Sequence, residues 1–240
     1  MSESTTIAPA LYLFPVNLSD APLDTVIPAE NMRLLKLVRH LVVENVRTAR
    51  RFLKSMDRTI DIDSISFTEL NEHTPAEQIP ELLAPLEHGE AMGILSEAGC
   101  PAIADPGADL VAVAQRRGLK VVPLVGPSSI LLSLMASGFN GQSFAFLGYL
   151  PIDQSKRAQA LKQMQQRIVR ERQTQIFIET PYRNNKLIAE LTRQLPGNML
   201  LCVAWNLTSD KETIITRPLS QWAKAGYNFD KTPAIFLLYS

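Results

Sequence analysis

The chain has 240 residues, 46% hydrophobic and 20% charged, which gives enough apolar material for one large or two small domains and excludes global disorder. Lysine plus arginine equals aspartate plus glutamate at 24 each, so a general nucleic-acid coat is excluded while a local basic patch stays open. The two cysteines and three histidines (His40, His73, His88) show neither disulfide nor metal spacing, and no window reaches the roughly 18 apolar residues of a membrane span. Met1 to Ala10 lacks the positive side chain and apolar run of a secretory signal, so the expectation is a cytoplasmic chain with no metal site and no membrane partner.

Taken in order, residues 1 to 9 read as a loose tail and Leu11 to Val16 as a first strand. Apolar residues at helical spacing predict a helix from Pro28 to Arg39. A brief strand follows from Leu41 to Val43. Val46, Ala49, Phe52 and Leu53 then form the buried side of a second helix. On its other side Arg47, Arg50, Arg51, Lys54 and Arg58 recur at helical spacing, with no acid from Val46 to Met56. Such a face is either simply solvated or a contact for phosphates. Ile65 to Thr68 reads as a strand, and residues 75 to 88 as a helix with Pro75 at its start and Gly89 at its end.

The central stretch, Ala91 to Ile130, reads strand, loop, helix, strand, loop, helix, the grammar of a parallel α/β sheet. The strand Ala91 to Leu95 ends in a Gly- and Pro-rich loop where Glu97 and Asp105 sit, although a plain turn needs no acids. A helix carrying Leu110, Val111, Val113 and Ala114 stops at Gly118. The run Leu119 to Val125 then breaks at Gly126-Pro127-Ser128-Ser129, whose hydroxyls open a helix that continues to Gly138. The second half begins with a strand from Phe144 to Leu147 and a long polar helix, about Gln154 to Arg172, bearing Lys156, Arg157, Lys162, Arg167, Arg170 and Arg172. A strand from Gln175 to Ile178 and a helix ending at Leu195 come next. Met199 to Ala204, Glu212 to Thr216 and Ala234 to Tyr239 are strand-like with short links, which implies antiparallel pairing. The expected fold is α/β with two domains: a parallel sheet in residues 1–124 and a mixed sheet in 125–240.

Several chemistries fall by elimination. No G-x-G-x-x-G follows the first strand, no G-x-x-x-x-G-K-[ST] exists, no G-x-S-x-G elbow is present, and neither cysteine has a nucleophile signature. A site made of loop backbone remains, suited to a ligand that carries its own reactive group.

Ser96-Glu97-Ala98-Gly99-Cys100-Pro101-Ala102-Ile103-Ala104-Asp105-Pro106-Gly107 resembles the S-D-A-G-x-P-x-x-x-D-P-G loop of the tetrapyrrole (corrin/porphyrin) methylase superfamily, in its small-subunit ribosomal RNA methyltransferase I branch. Val121 to Pro127 is similar to V-V-P-x-P-G-P, Gly148 to Pro151 to G-F-L-P, and Phe177 to Arg183 to F-x-E-S-x-x-R. Leu207-Thr208 with Glu212-Thr213-Ile214 resembles E-L-T-K…E-T-I. The resemblance implies S-adenosylmethionine as cofactor, held in a cleft between the two domains. Its contacts would be Pro15, Glu97, Ala98, Gly99, Ser129, Ile130, Ile178, Ala204, and Pro233 or Ala234. It also implies a homodimer that 2′-O-methylates a cytidine ribose in small-subunit ribosomal RNA. The chain departs from the pattern at Phe14-Pro15-Val16-Asn17-Leu18, where T-P-I-G-N-L has a glycine, and at Lys231-Thr232-Pro233, where the family has K-G-E. Glu44-Asn45-Val46-Arg47 stands for E-D-T-R, an amide replacing an acid.

A ribose hydroxyl needs a base, and Glu44, at a strand end and matching the motif's acid, is the candidate, with Arg47 beside it. A helix-terminal acid paired with the helix dipole is the plainer reading of Glu44. Arg47, Arg50, Arg51 and Lys54 would hold RNA phosphates. Two rivals stay open: a methylase of a small molecule or protein side chain, and a paralogue that binds S-adenosylmethionine without turnover.

Overall fold

A computed structural model describes residues 6–240, so Met1 to Thr5 of the expected tail lie outside the described residues. The chain divides into two compact units, Met1–Ser128 and Ser129–Ser240.

The first unit is a five-stranded parallel sheet built from β1 (Leu11–Phe14), β2 (His40–Val43), β3 (Ser66–Glu69), β4 (Met92–Leu95) and β5 (Val121–Pro123), in the order β3-β2-β4-β1-β5. Successive side chains of a strand face opposite ways, and the sequence supplies apolar residues for both faces. Tyr12, Phe14, Leu41, Val43 and Leu95 pack on one side with Ala49 and Leu53 of α2 (Val46–Met56) and Leu35 of α1 (Ala29–Leu35). Leu11, Val42, Met92 and Ile94 pack on the other with Leu83, Leu86, Leu110, Val113 and Ala114.

The helix expected over residues 75 to 88 is corrected: the segment is a 3₁₀ turn, Ile79–Leu83, followed by a one-turn α3 (Ala84–Glu87). Pro80 and Pro85 are the reason, since each lacks an N–H and crowds the carbonyl four residues earlier. The expected first helix stops at Leu35 rather than Arg39, and α2 ends before Arg58. The run 119–125 yields only a three-residue edge strand, in which Pro123 donates no ladder bond. The α4 helix (Gly107–Arg116) then buries Leu110, Val113 and Ala114.

The second unit is a mixed sheet, β6-β7-β10-β8-β9, of β6 (Phe144–Tyr149), β7 (Thr174–Ile178), β8 (Leu200–Trp205), β9 (Thr213–Pro218) and β10 (Ala234–Tyr239). Only β6 and β7 run parallel; β10 inserts antiparallel between β7 and β8, and β8 pairs antiparallel with β9. The α5 helix (Ser129–Ser137) packs on β8, β9 and β10. The α6 (Gln154–Glu171), α7 (Asn184–Gln194) and α8 (Leu219–Trp222) helices bury Leu161, Met164, Ile168, Leu187, Leu191 and Trp222 in one core with Phe177 and Phe236. The sequence reading did not foresee α8. No helix among the described residues is long and apolar enough to cross a membrane.

Candidate active site

In the first sheet β2 leads outward to β3, while its neighbour β4 leads the other way to β5. Two connections that diverge from adjacent parallel strands leave a crevice at the carboxyl ends. Glu44 follows β2 directly, and Ser96 to Gly107 follows β4, so the two segments singled out in the sequence meet there. The Glu97 backbone N–H donates to Glu44 Oε1 at 3.1 Å. Thr48 Oγ1, on the first turn of α2, donates to Glu97 Oε1 at 2.5 Å. Beside them lies a small cavity lined by Val16, Val43, Thr48, Phe52, Leu95 and Glu97.

The long loop is folded around Asp105. Its Oδ1 accepts from Ala102 N at 3.0 Å and Gly107 N at 2.8 Å, while its Oδ2 is buried without a hydrogen-bond partner. Ala102 and Ala104 sit at φ 64° and 62°, a left-handed conformation costing about 1–2 kcal/mol for a residue with a Cβ. Strain of this kind persists where surrounding contacts enforce it. Burial raises the Glu44 pKa above the ordinary carboxylate range, the Glu97 N–H partly opposes the rise, and the Asp105 and Glu97 charges add to it. Burial raises that of Asp105 too, against its backbone donors. No basic side chain forms an ion pair with any of these three acids among the described residues.

The β1 exit joins the same cluster. Val16 and Gly99 form an antiparallel bridge, with Val16 N to Gly99 O at 2.9 Å and Gly99 N to Val16 O at 3.1 Å. Gly99 has φ 73°, where a Cβ would be strained and would stand 3.2 Å from Leu18 Cδ2. Buried Pro15 lies under Gly126, whose added Cβ would fall 2.2 Å from Pro15 Cβ. Asn31 of α1 donates to Val125 O at 2.7 Å and so ties down the β5 exit. Of the residues proposed from sequence, Pro15, Glu44, Glu97, Ala98 and Gly99 are therefore brought together. Arg47, Arg50, Arg51 and Lys54 are all exposed on α2. Arg50 lies over the Phe67 ring at 5.4 Å, and Lys54 Nζ donates to the Arg58 and Ile60 carbonyls at 3.0 and 2.8 Å. Asn45 caps α2, accepting from Arg47 N at 2.9 Å and Thr48 N at 3.2 Å. The amide thus does the capping work of an acid, and Glu44 is left free of that role.

In the second unit the proposed residues gather at one end of the sheet. Ile235 of β10 faces Ile178 of β7 and Ala204 of β8, so Pro233 and Ala234 enter the sheet where those strands leave it. Ser129 and Ile130 open α5. Sequence reasoning missed what supports this end. Glu179, with its side chain 1% exposed, accepts from Arg183 Nη2 at 2.6 Å and lies 3.5 Å from Arg157 Nη2. Arg157 also reaches Glu190 at 3.1 Å and the Pro151 carbonyl at 2.7 Å. Buried Asn184 donates to the Phe229 and Thr232 carbonyls at 3.0 and 2.8 Å and so holds the loop before β10. Glu179 and Arg183 lie inside the Phe177 to Arg183 motif, which is the signal the sequence offers for them; nothing in the sequence marks Asn184. Cys202, buried on β8, has its thiol pushed up to about 11 by burial, which makes it a poor nucleophile at neutral pH.

A family model described as Tetrapyrrole (Corrin/Porphyrin) Methylases matches residues 24–223. The chain belongs to this methylase family. A ribosomal RNA small subunit methyltransferase I of Vibrio cholerae is 30% identical to this methylase over all of its chain and 81% of the relative. A protein of the same name from Halalkalibacterium halodurans is 31% identical over 80% of this methylase and 64% of the relative, less than two thirds of that protein's length. Among solved structures, the methyltransferase CobJ matches with a TM-score of 0.63 at 14% identity, covering 96% of this methylase and 94% of that chain. A uroporphyrin-III C-methyltransferase of Thermus thermophilus gives a TM-score of 0.56 at 15% identity, covering 96% and 92%. At such identities these structures bear on the fold alone, and the fold is that of the tetrapyrrole methylases.

Proposed function

We propose that this methylase uses S-adenosylmethionine to methylate a ribose 2′-hydroxyl in small-subunit ribosomal RNA. The observation that carries the reading is the meeting of Glu44 with the Glu97 loop at the switch point of the parallel sheet. Family membership supplies the reaction class, and the names of the curated relatives supply the substrate class.

The residues present fit such a cofactor. Three acids without a basic partner, one of them with an orphaned buried oxygen, favour a ligand bearing positive charge. S-adenosylmethionine supplies, when bound, a methyl group on a positively charged sulfur. Pro15, Glu97, Ala98 and Gly99 in the first unit, and Ser129, Ile130, Ile178, Ala204, Pro233 and Ala234 in the second, are its proposed contacts. Glu44 takes the proton of the ribose hydroxyl as that oxygen is alkylated, and its raised pKa makes it a stronger base than an ordinary carboxylate. Arg47, three residues on in sequence, and Arg50, Arg51 and Lys54 along α2 hold neighbouring phosphates. The reading carries with it a cytoplasmic homodimer, checked by sedimentation.

The test uses S-adenosylmethionine with a labelled methyl group and lysate from cells lacking this protein. Label in small-subunit RNA is the expected result. Label in the protein or small-molecule fraction would replace the substrate, and cofactor binding without label anywhere would leave a non-catalytic paralogue.

A further inference from the structure

The α6 helix carries a second basic surface, on the unit that does not contain Glu44. Its buried side is Leu161, Met164 and Ile168, joined by Arg157, whose guanidinium is pinned to the Pro151 carbonyl, Glu179 and Glu190. The opposite side is Lys156, Gln159, Lys162, Gln163, Gln166, Arg167 and Arg170, all exposed. Lys156, Gln163, Arg167 and Arg170 are spaced seven, four and three residues apart, which puts them in one stripe along the axis. No acid interrupts the helix before Glu171, and none of the four exposed cations of this face, Lys156, Lys162, Arg167 and Arg170, forms an ion pair among the described residues. On a chain with equal numbers of basic and acidic residues, a helix face with this sign alone is a local concentration of charge.

We infer that this outer face of α6 docks the phosphate backbone of the RNA substrate, apart from the α2 face. The inference rests on the proposed function. Lys156 to Arg170 spans about 21 Å of helix axis at 1.5 Å per residue, long enough to meet several successive phosphates. Charge complementarity selects a polyanion, and the side chains between the cations select RNA over an anionic bilayer. A membrane-surface helix interleaves its cations with large apolar residues. Here the interleaved residues are glutamines, which hydrogen-bond to phosphate and ribose oxygens, and Val169 is the one exposed large apolar residue on the helix. Because all four cations point outward from a packed inner face, their removal leaves the fold intact.

The experiment combines Lys156→Gln, Lys162→Gln, Arg167→Gln and Arg170→Gln in the full chain. Binding to small-subunit ribosomal RNA is measured over a range of salt, alongside methyl transfer and S-adenosylmethionine affinity. A control variant carries Lys120→Gln, Lys186→Gln, Arg193→Gln and Lys224→Gln, which are equally exposed cations elsewhere. The expected result is RNA affinity about tenfold or more weaker, a log-affinity against log-salt slope shallower by about 2–3, and a raised KM for RNA. The kcat, cofactor affinity and melting temperature stay at the wild-type values, and the control changes the slope by less than about 1. Wild-type affinity and slope in the α6 variant would overturn the inference. So would equal losses in the control, or binding to phosphatidylserine vesicles that depends on these four residues while RNA binding does not. A wild-type protein that neither binds nor methylates RNA would instead defeat the functional reading itself.

Discussion

At the scale of single residues, Glu44 links site electrostatics to stability. Its carboxyl is half-buried and faces two other acids, so its folded pKa lies above the ordinary value of about 4.3. A proton is therefore held more tightly in the folded than in the unfolded chain. The sign follows: folding is favoured by this group at low pH and loses that contribution as pH rises through the raised pKa. Glu44→Gln keeps an acceptor for the Glu97 N–H but has no charge to desolvate. Thermal unfolding should show the variant more stable than wild type at neutral pH, with the difference closing below the ordinary carboxylate range. Turnover should be lost while cofactor binding persists; unchanged turnover removes Glu44 as the base. In the wild type, turnover should fall as pH drops through the same raised pKa, because only the ionised carboxylate accepts a proton.

At the scale of elements, two junctions decide whether the site stays in place. The α2 helix starts on Asn45, whose side chain satisfies two N–H groups. Asn45→Ala should cost about 1 kcal/mol in urea unfolding, and Asn45→Asp should stay within about 0.5 kcal/mol of wild type, since asparagine and aspartate cap equally well. If Asn45→Asp instead changed turnover strongly, the amide would be doing more than capping. The second junction is Glu179, which ties α6 and the start of α7 to the exit of β7. Glu179→Ala leaves the Arg157 and Arg183 guanidinium groups short of a partner, Arg157 with its side chain 11% exposed. The expected loss is about 3 kcal/mol or more, read as a lower denaturation midpoint. Glu179→Gln, which keeps an acceptor for Arg183 and the Thr180 N–H, should recover part of it.

At the scale of the whole molecule, zero net charge hides a sorted surface. Cations line α2 in the first unit and α6 in the second, and acids gather at the β2 and β4 exits. Binding driven by net charge would therefore be absent, and binding driven by the local faces would be steep in salt. RNA affinity should fall about 10³-fold or more between 50 and 200 mM salt if six or more phosphates are neutralised. A flat response would remove both basic faces from the account.

The family, the parallel-then-mixed order of strands and most helices are legible in the sequence, because these depend on local periodicity and on motif residues that lie next to each other in the chain. The sequence also singled out the Ser96–Gly107 loop and Glu44, two segments that the structure brings into contact. Its element errors were local as well: Pro80 and Pro85 break a helix whose apolar spacing looks continuous. Tertiary structure alone decided what crosses long stretches of chain. The antiparallel bridge between Val16 and Gly99, the Glu44–Glu97 contact, the insertion of β10 between β7 and β8, and the pinning of the 229–232 loop by Asn184 all join residues tens of positions apart. Periodicity carries no information about such pairs. Whether an acid at a strand end caps a helix or faces other acids depends on which strand exits the sheet next to it, and strand order is fixed only when both faces of the sheet are covered.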